Sequence, residues 1–122
     1  YLNPSPRKPE QLIWIKVAGQ LPSKTDNSLH HAILAYASDF SLMSTSLLPH
    51  AVSIMNPKLQ PASLDHCIWF HDSFRADEWM LYHMDSLRSS RARGLSRGTF
   101  YTQDGRLVAS TIQEGLMRLH SE

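Results

Sequence analysis

Residues 29–43 (LHHAILAYASDFSLM) hold no glycine and no proline, and from 32 to 37 they are apolar at almost every position. A helix apolar on all sides must be buried by its neighbours. One acid, Asp39, stands inside this stretch. Burying a carboxylate without partners costs several kcal/mol or forces it to take up a proton. An Asp kept there either ends the helix or is used, and we read it as used. Ser28 is the expected N-cap, with the helix running from 29 to about 43 and stopping by Pro49.

The rest of the pattern is β. Residues 11–19 (QLIWIKVAG) form a strand before the helix, and everything after Pro49 reads as strands: 51–55, 63–71 (SLDHCIWFH), 78–87 (EWMLYHMDSL), 95–103 (LSRGTFYTQ) and 106–119 (RLVASTIQEGLMRL). Asp104-Gly105 is a two-residue turn that favours a tight hairpin, since both residues tolerate positive φ. A helix that needs cover on most sides, followed by antiparallel strands, predicts an α+β fold with one sheet wrapped around the helix.

With 122 residues, one domain is the default. Residues 1–10, with prolines at 4, 6 and 9, read as a linker-like leader, and 11–122 as the domain. A first residue that is not Met fits a piece of something longer. A formal net charge of +1 supplies no field for nucleic acid or a membrane surface. No apolar run reaches the ~20 residues a membrane span needs. The single cysteine, Cys67, excludes a disulfide within the chain, fits a reducing intracellular setting, and is expected to be a small buried hydrophobe. Trp69, Phe70, Trp79, Met80 and Met84 are expected in the core.

Six segments occur in the order seen in one family: 34–39 (LAYASD), 63–66 (SLDH), 68–71 (IWFH), 74–79 (FRADEW), 101–105 (YTQDG) and 108–115 (VASTIQEG). On these the chain resembles the C-terminal half of the type II acyl-CoA thioesterases. That resemblance implies a hot-dog fold, a curved antiparallel sheet around a long central helix, in a protein carrying two such units. It also implies hydrolysis of fatty acyl-CoA by a water held between an Asp, a hydroxyl residue and a Gln. Residue by residue these are Asp39, Ser63 and Gln113. No metal or redox cofactor is implied, because the coenzyme A moiety belongs to the substrate. The compartment implied is peroxisomal in a eukaryote and cytoplasmic in a bacterium.

The chemistry suits those residue types. A thioester carbonyl needs an oriented water, and a carboxylate can hold that water or take its proton, worth roughly 10²–10⁴ in rate. Burial of Asp39 among Tyr36, Phe40 and Leu42 would strengthen it as a base. Ser63 and Gln113 donate and accept hydrogen bonds, and so fix the water and the carboxylate. Gln113 and Glu114 must point to opposite faces of the last strand, with Gln113 toward the site. Ser63, Asp65 and His66 invite a hydrolase triad, but strand alternation puts Ser63 and His66 on opposite faces. Asp65 and His66 are left a structural role beside Ser63. The histidines show no zinc-site spacing. Arg88, Arg91, Arg93 and Arg97 form the one basic run. It reads as a solvated connection or, for Arg91, Arg93 and Arg97, as a site for the phosphates of coenzyme A. A rival reading makes this unit an incomplete pairing module that needs a second unit, either the other half of its protein or another copy.

Overall fold

A computed structural model gives the structure of the protein and describes residues 6, 8–39, 42–50 and 55–119. Strand β1 (Glu10–Ile15) precedes helix α1 (Asn27–Ala37), a short helix α2 (Leu42–Thr45) and a 3-10 turn (Leu48–His50). Four long strands follow: β2 (Leu59–Phe70), β3 (Met80–Ser90), β4 (Arg93–Thr102) and β5 (Leu107–Leu119). Among the described residues they form one antiparallel sheet in the order β1-β3-β4-β5-β2. This is the expected hot dog, with α1 and α2 on the inner face. No helix is long and apolar enough to cross a membrane. The expected strand at 51–55 falls mostly on residues 51–54, which lie outside the described residues; Met55 is in a turn.

Alternation along the strands builds the core. Met80, Tyr82 and Met84 of β3 and Phe100 of β4 point inward, where they meet Leu34 of α1, Leu42 of α2, and Phe74, Val108 and Ala109. The Tyr82 and Phe100 rings stack at 3.8 Å. Gly98 makes room for that stack: a Cβ there would stand 2.3 Å from Tyr82 Cε1 and 2.8 Å from Thr111 Oγ1. Gly94 does the same for Ser46, which a Cβ would meet at 2.3 Å. Glycine is thus what lets helix-side groups and the tyrosine ring lie flat on β4.

The helix departs from expectation in three ways. Its N-cap is Asp26, whose carboxylate accepts from Ser28 N (3.1 Å); a charged oxygen two residues earlier takes the role assigned to Ser28. The helix ends at Ala37, where the Ser38 N–H closes on Leu34 O while the Ser38 hydroxyl turns back to Ala35 O (2.8 Å). And its cover is partial. His30 and Leu34 are buried, whereas Tyr36 is 75% exposed and Leu29 44%. Among the described residues, the sheet covers one side of the helix.

The hairpins also differ from the simple reading. In the β4–β5 turn Gly105 N donates to Thr102 O (2.9 Å), and Gly105 alone of the Asp104-Gly105 pair has positive φ (89°). The β3–β4 turn instead uses two non-glycine residues at positive φ, Arg91 (55°) and Ala92 (59°).

The segment 74–79 clips the approach to α1. Asp77 accepts Leu21 N (2.7 Å) and both Nε and Nη2 of Arg75 (3.0 Å each), and Arg75 Nη2 also donates to Leu21 O (2.9 Å). The Arg75 guanidinium, then the Leu21 amide, hold the Asp77 carboxyl down at about 2 against an ordinary 3.8. A depressed carboxyl contributes stability that is complete above its unfolded value and is lost as pH falls through its folded one. Between pH about 4 and about 2 the unfolded chain binds the extra proton, so stability should fall across that window. Asp77→Asn should flatten this slope in thermal unfolding followed against pH. An unchanged slope would remove Asp77 as its source.

Candidate active site

Three residues far apart in sequence meet where α1 ends beside β2. Ser63 Oγ stands 3.5 Å from Asp39 Oδ1, and Gln113 Nε2 donates to Ser63 Oγ at 3.1 Å. These are the three residues expected from the sequence, and they lie in one hydrogen-bonded line. Gln113 is 1% exposed on the inner face, while Asp39 and Ser63 are exposed at its rim. The burial expected for Asp39 is therefore absent. The helix stops two residues before it, Tyr36 points to solvent, and Phe40 lies outside the described residues.

A bulge in β2 makes the line possible. Ser63 pairs with Gly115, Asp65 with Glu114 and His66 with Gln113, so Leu64 is an extra residue in the ladder. Gly115 and Gln113 are two apart on β5 and share a face. Their partners Ser63 and His66, three apart in sequence, share it too. The alternation that set Ser63 and His66 on opposite faces is thus corrected by one inserted residue.

His66 is the site residue that sequence reasoning passed over. Its Nδ1 is 2.6 Å from Gln113 Oε1, and its Nε2 is 2.7 Å from Ser38 Oγ. Both nitrogens are engaged away from Ser63, so it does not serve that hydroxyl as a base. Asp65 faces the other way and accepts from Glu114 N (2.9 Å). Glu114 lies on the outer face, as expected, with Arg93 Nη1 3.4 Å away.

Beneath the line, Tyr82 secures its backbone. The Tyr82 hydroxyl donates to Ser38 O (2.7 Å) and shares a hydrogen bond with Thr111 Oγ1 (2.9 Å). Burial, reinforced by the charge of Asp39, pushes the phenol well above its ordinary 10, so the group stays a donor.

The arginines stand apart from this line. Arg93 pairs across the sheet with Leu116 and Arg97 with Ile112, on the face opposite Gln113. Arg97 is held by Asp85 through two bonds (2.7 and 3.1 Å). Arg88, Arg91 and Arg93 line an open groove of about 610 Å³ with Ser90, Leu95 and Glu114.

Several residues expected inside are outside. Met80 and Met84 are buried, but Trp69 and Trp79 are about half exposed and Cys67 is an exposed thiol. Cys67 and Trp69 sit on β2, a sheet edge, where the outer face has nothing to pack against. Phe70 stacks on His31 (4.1 Å) at the end of the same strand.

Tyr82→Phe would leave the buried Ser38 carbonyl without its donor, which costs about 1–3 kcal/mol. A urea midpoint lowered accordingly is the expected result. An unchanged midpoint would mean the carbonyl finds another donor.

Comparison with known proteins adds four findings. The family model for acyl-CoA thioesterase matches residues 6–116. The chain is 38% identical over 128 residues to human acyl-coenzyme A thioesterase 8, covering 97% of this chain and 38% of that protein. It is 39% identical over 109 residues to acyl-CoA thioesterase 2 of Haemophilus influenzae, covering 89% and 37%. Its structure is similar to that of acyl-CoA thioesterase II TesB2 from Mycobacterium marinum, with a TM-score of 0.83 and 42% identity, covering 98% of this chain and 46% of that one. The chain thus spans well under two thirds of the length of each of these relatives.

Proposed function

The chain belongs to the acyl-CoA thioesterase family, and on that premise we propose that it supplies the catalytic groups for hydrolysis of a fatty acyl-CoA thioester. The observation that carries this reading is the line Gln113–Ser63–Asp39, two hydrogen bonds long and open at its carboxylate end. A water bound between the Asp39 carboxylate and the Ser63 hydroxyl attacks the thioester carbonyl carbon and passes its proton to Asp39. The tetrahedral intermediate collapses by breaking the carbon–sulfur bond. The thiolate of coenzyme A leaves and takes up the proton, giving a free fatty acid and the thiol. Ser63 and Gln113 cannot act as bases near neutral pH; they fix the water and the carboxylate in line.

We further propose that this unit works as one of a pair. Asp39 and Ser63 are exposed beside β2, one of the two edges of the sheet, and that strand also exposes Leu64 and Trp69. A second hot-dog unit along this edge would cover the carboxylate and close a groove over the site. That unit is either the other half of a two-unit protein or a second copy. Arg88, Arg91 and Arg93 line a groove of the charge that coenzyme A phosphates need, on the face of the sheet opposite Gln113.

The rival reading, a pairing module without activity of its own, draws on the same exposed edge. Two measurements separate them. Release of free thiol from a long-chain acyl-CoA should drop by about 10²–10⁴ in Asp39→Asn while the fold is kept. Full turnover by well-folded Asp39→Asn would sink the catalytic assignment. For pairing, light scattering on the 122-residue chain at micromolar concentration should give a dimer. A monodisperse monomer would count against self-pairing.

A further inference from the structure

His66 lies outside the catalytic set, yet it touches both elements that carry it. Its Nδ1 meets Gln113 Oε1 on β5, and its Nε2 meets the hydroxyl of Ser38, the residue before Asp39. We propose that His66 is a positioning residue: its Nδ1–H holds the Gln113 carbonyl and thereby turns the Gln113 amide N–H toward Ser63. This rests on the hydrolytic reading above and adds to it a group that never touches substrate.

The two ends of a primary amide are nearly equal in shape and opposite in function. If Gln113 offered Oε1 to Ser63, the single hydroxyl hydrogen of Ser63 would go to Gln113, and none would be left for Asp39. With Nε2 donating to Ser63 Oγ, that hydrogen is available to the carboxylate. Donors then run in one direction, from His66 to Gln113 to Ser63 to Asp39, and end on the charged acceptor.

A carbonyl oxygen can only accept, so this direction requires a hydrogen on Nδ1; a ring protonated at Nε2 alone would accept from the Gln113 amide N–H and reverse it. Ser38 lets Nδ1 carry that hydrogen in either charge state. When the Ser38 hydrogen is on Ala35 O, the Ser38 oxygen accepts from Nε2–H. When it turns to the ring, Nε2 accepts and the ring is neutral. Nδ1–H is common to both. The same contact ties β2 to the end of α1, so the ring fixes the amide and the position of Asp39 together.

The test uses the whole protein. The nitrogen NMR shifts of His66, assigned by comparison with His66→Asn, report which ring nitrogen is protonated near neutral pH. Steady-state hydrolysis of a long-chain acyl-CoA is measured for wild type, Asp39→Asn, His66→Ala, His66→Asn, Gln113→Ala and the double variant His66→Ala/Gln113→Ala. Protonated Nδ1 is expected. His66→Ala should lower kcat by about 10–100-fold with KM little changed, since small misplacements cost that much. His66→Asn, whose amide N–H can stand near Nδ1, should restore a large part of the rate. In the Gln113→Ala background, loss of His66 should cost little more, because it acts through Gln113. A merely structural histidine would show additive losses and no rescue. A bare Nδ1, or additive losses, in an enzyme that Asp39→Asn inactivates would overturn the role of His66 alone. A wild type without hydrolysis, or undiminished Asp39→Asn, would overturn the hydrolytic reading and the positioning role with it.

Discussion

The hydroxyl of Tyr82 reaches from the middle of the sheet to the carbonyl of Ser38, the C-cap of α1. Its ring lies against Gly98 and Phe100, deep in the core, so the contact is as fixed as the core itself. This bond helps fix the residue before Asp39, at the point where the chain leaves the helix. Thr111, which shares that hydroxyl, sits two residues before Gln113 on the same face. One tyrosine thus bonds to the helix end and shares a hydrogen bond with the strand that carries the amide.

Much of this was legible in the sequence, and the omissions have physical causes. Asp39, Ser63 and Gln113 were readable because each lies in a short motif of a recognisable family, and the structure joins them. The strands were readable from alternation, to within a few residues at their ends. The helix end was not, because no glycine or proline marks it, and one of the bonds at its cap comes from Tyr82, 44 residues away. His66 was set aside by an alternation rule that holds only in an unbroken ladder, and the extra Leu64 breaks it. Nothing local in the residues 62–66 marks a bulge. Cys67 and Trp69 were placed inside because they are apolar, but residue type does not tell an edge strand from a central one; Trp79 lies in the loop before β3.

The open side of the molecule gives the same residues a second meaning. α1 carries Leu29 and Tyr36 outward, and β2 carries Leu64 and Trp69 outward at the sheet edge. Large exposed apolar side chains on a helix and on an edge strand are the kind of surface that a folded chain seldom leaves uncovered. The line Gln113–Ser63–Asp39 ends at an exposed carboxylate beside that strand.

The two hairpins of the sheet are unequal in a way that bears on what holds each of them closed. The β4–β5 turn has a glycine at its one left-handed position, which costs nothing. The β3–β4 turn puts Arg91 and Ala92 there, at roughly 1–2 kcal/mol each. Ala92 is held from outside its hairpin, because its carbonyl accepts from Met117 N on β5 (2.7 Å). The β4–β5 hairpin is therefore closed by its own turn, whereas the β3–β4 turn relies on β5 to hold it, so the strand that bears Gln113 steadies both hairpins.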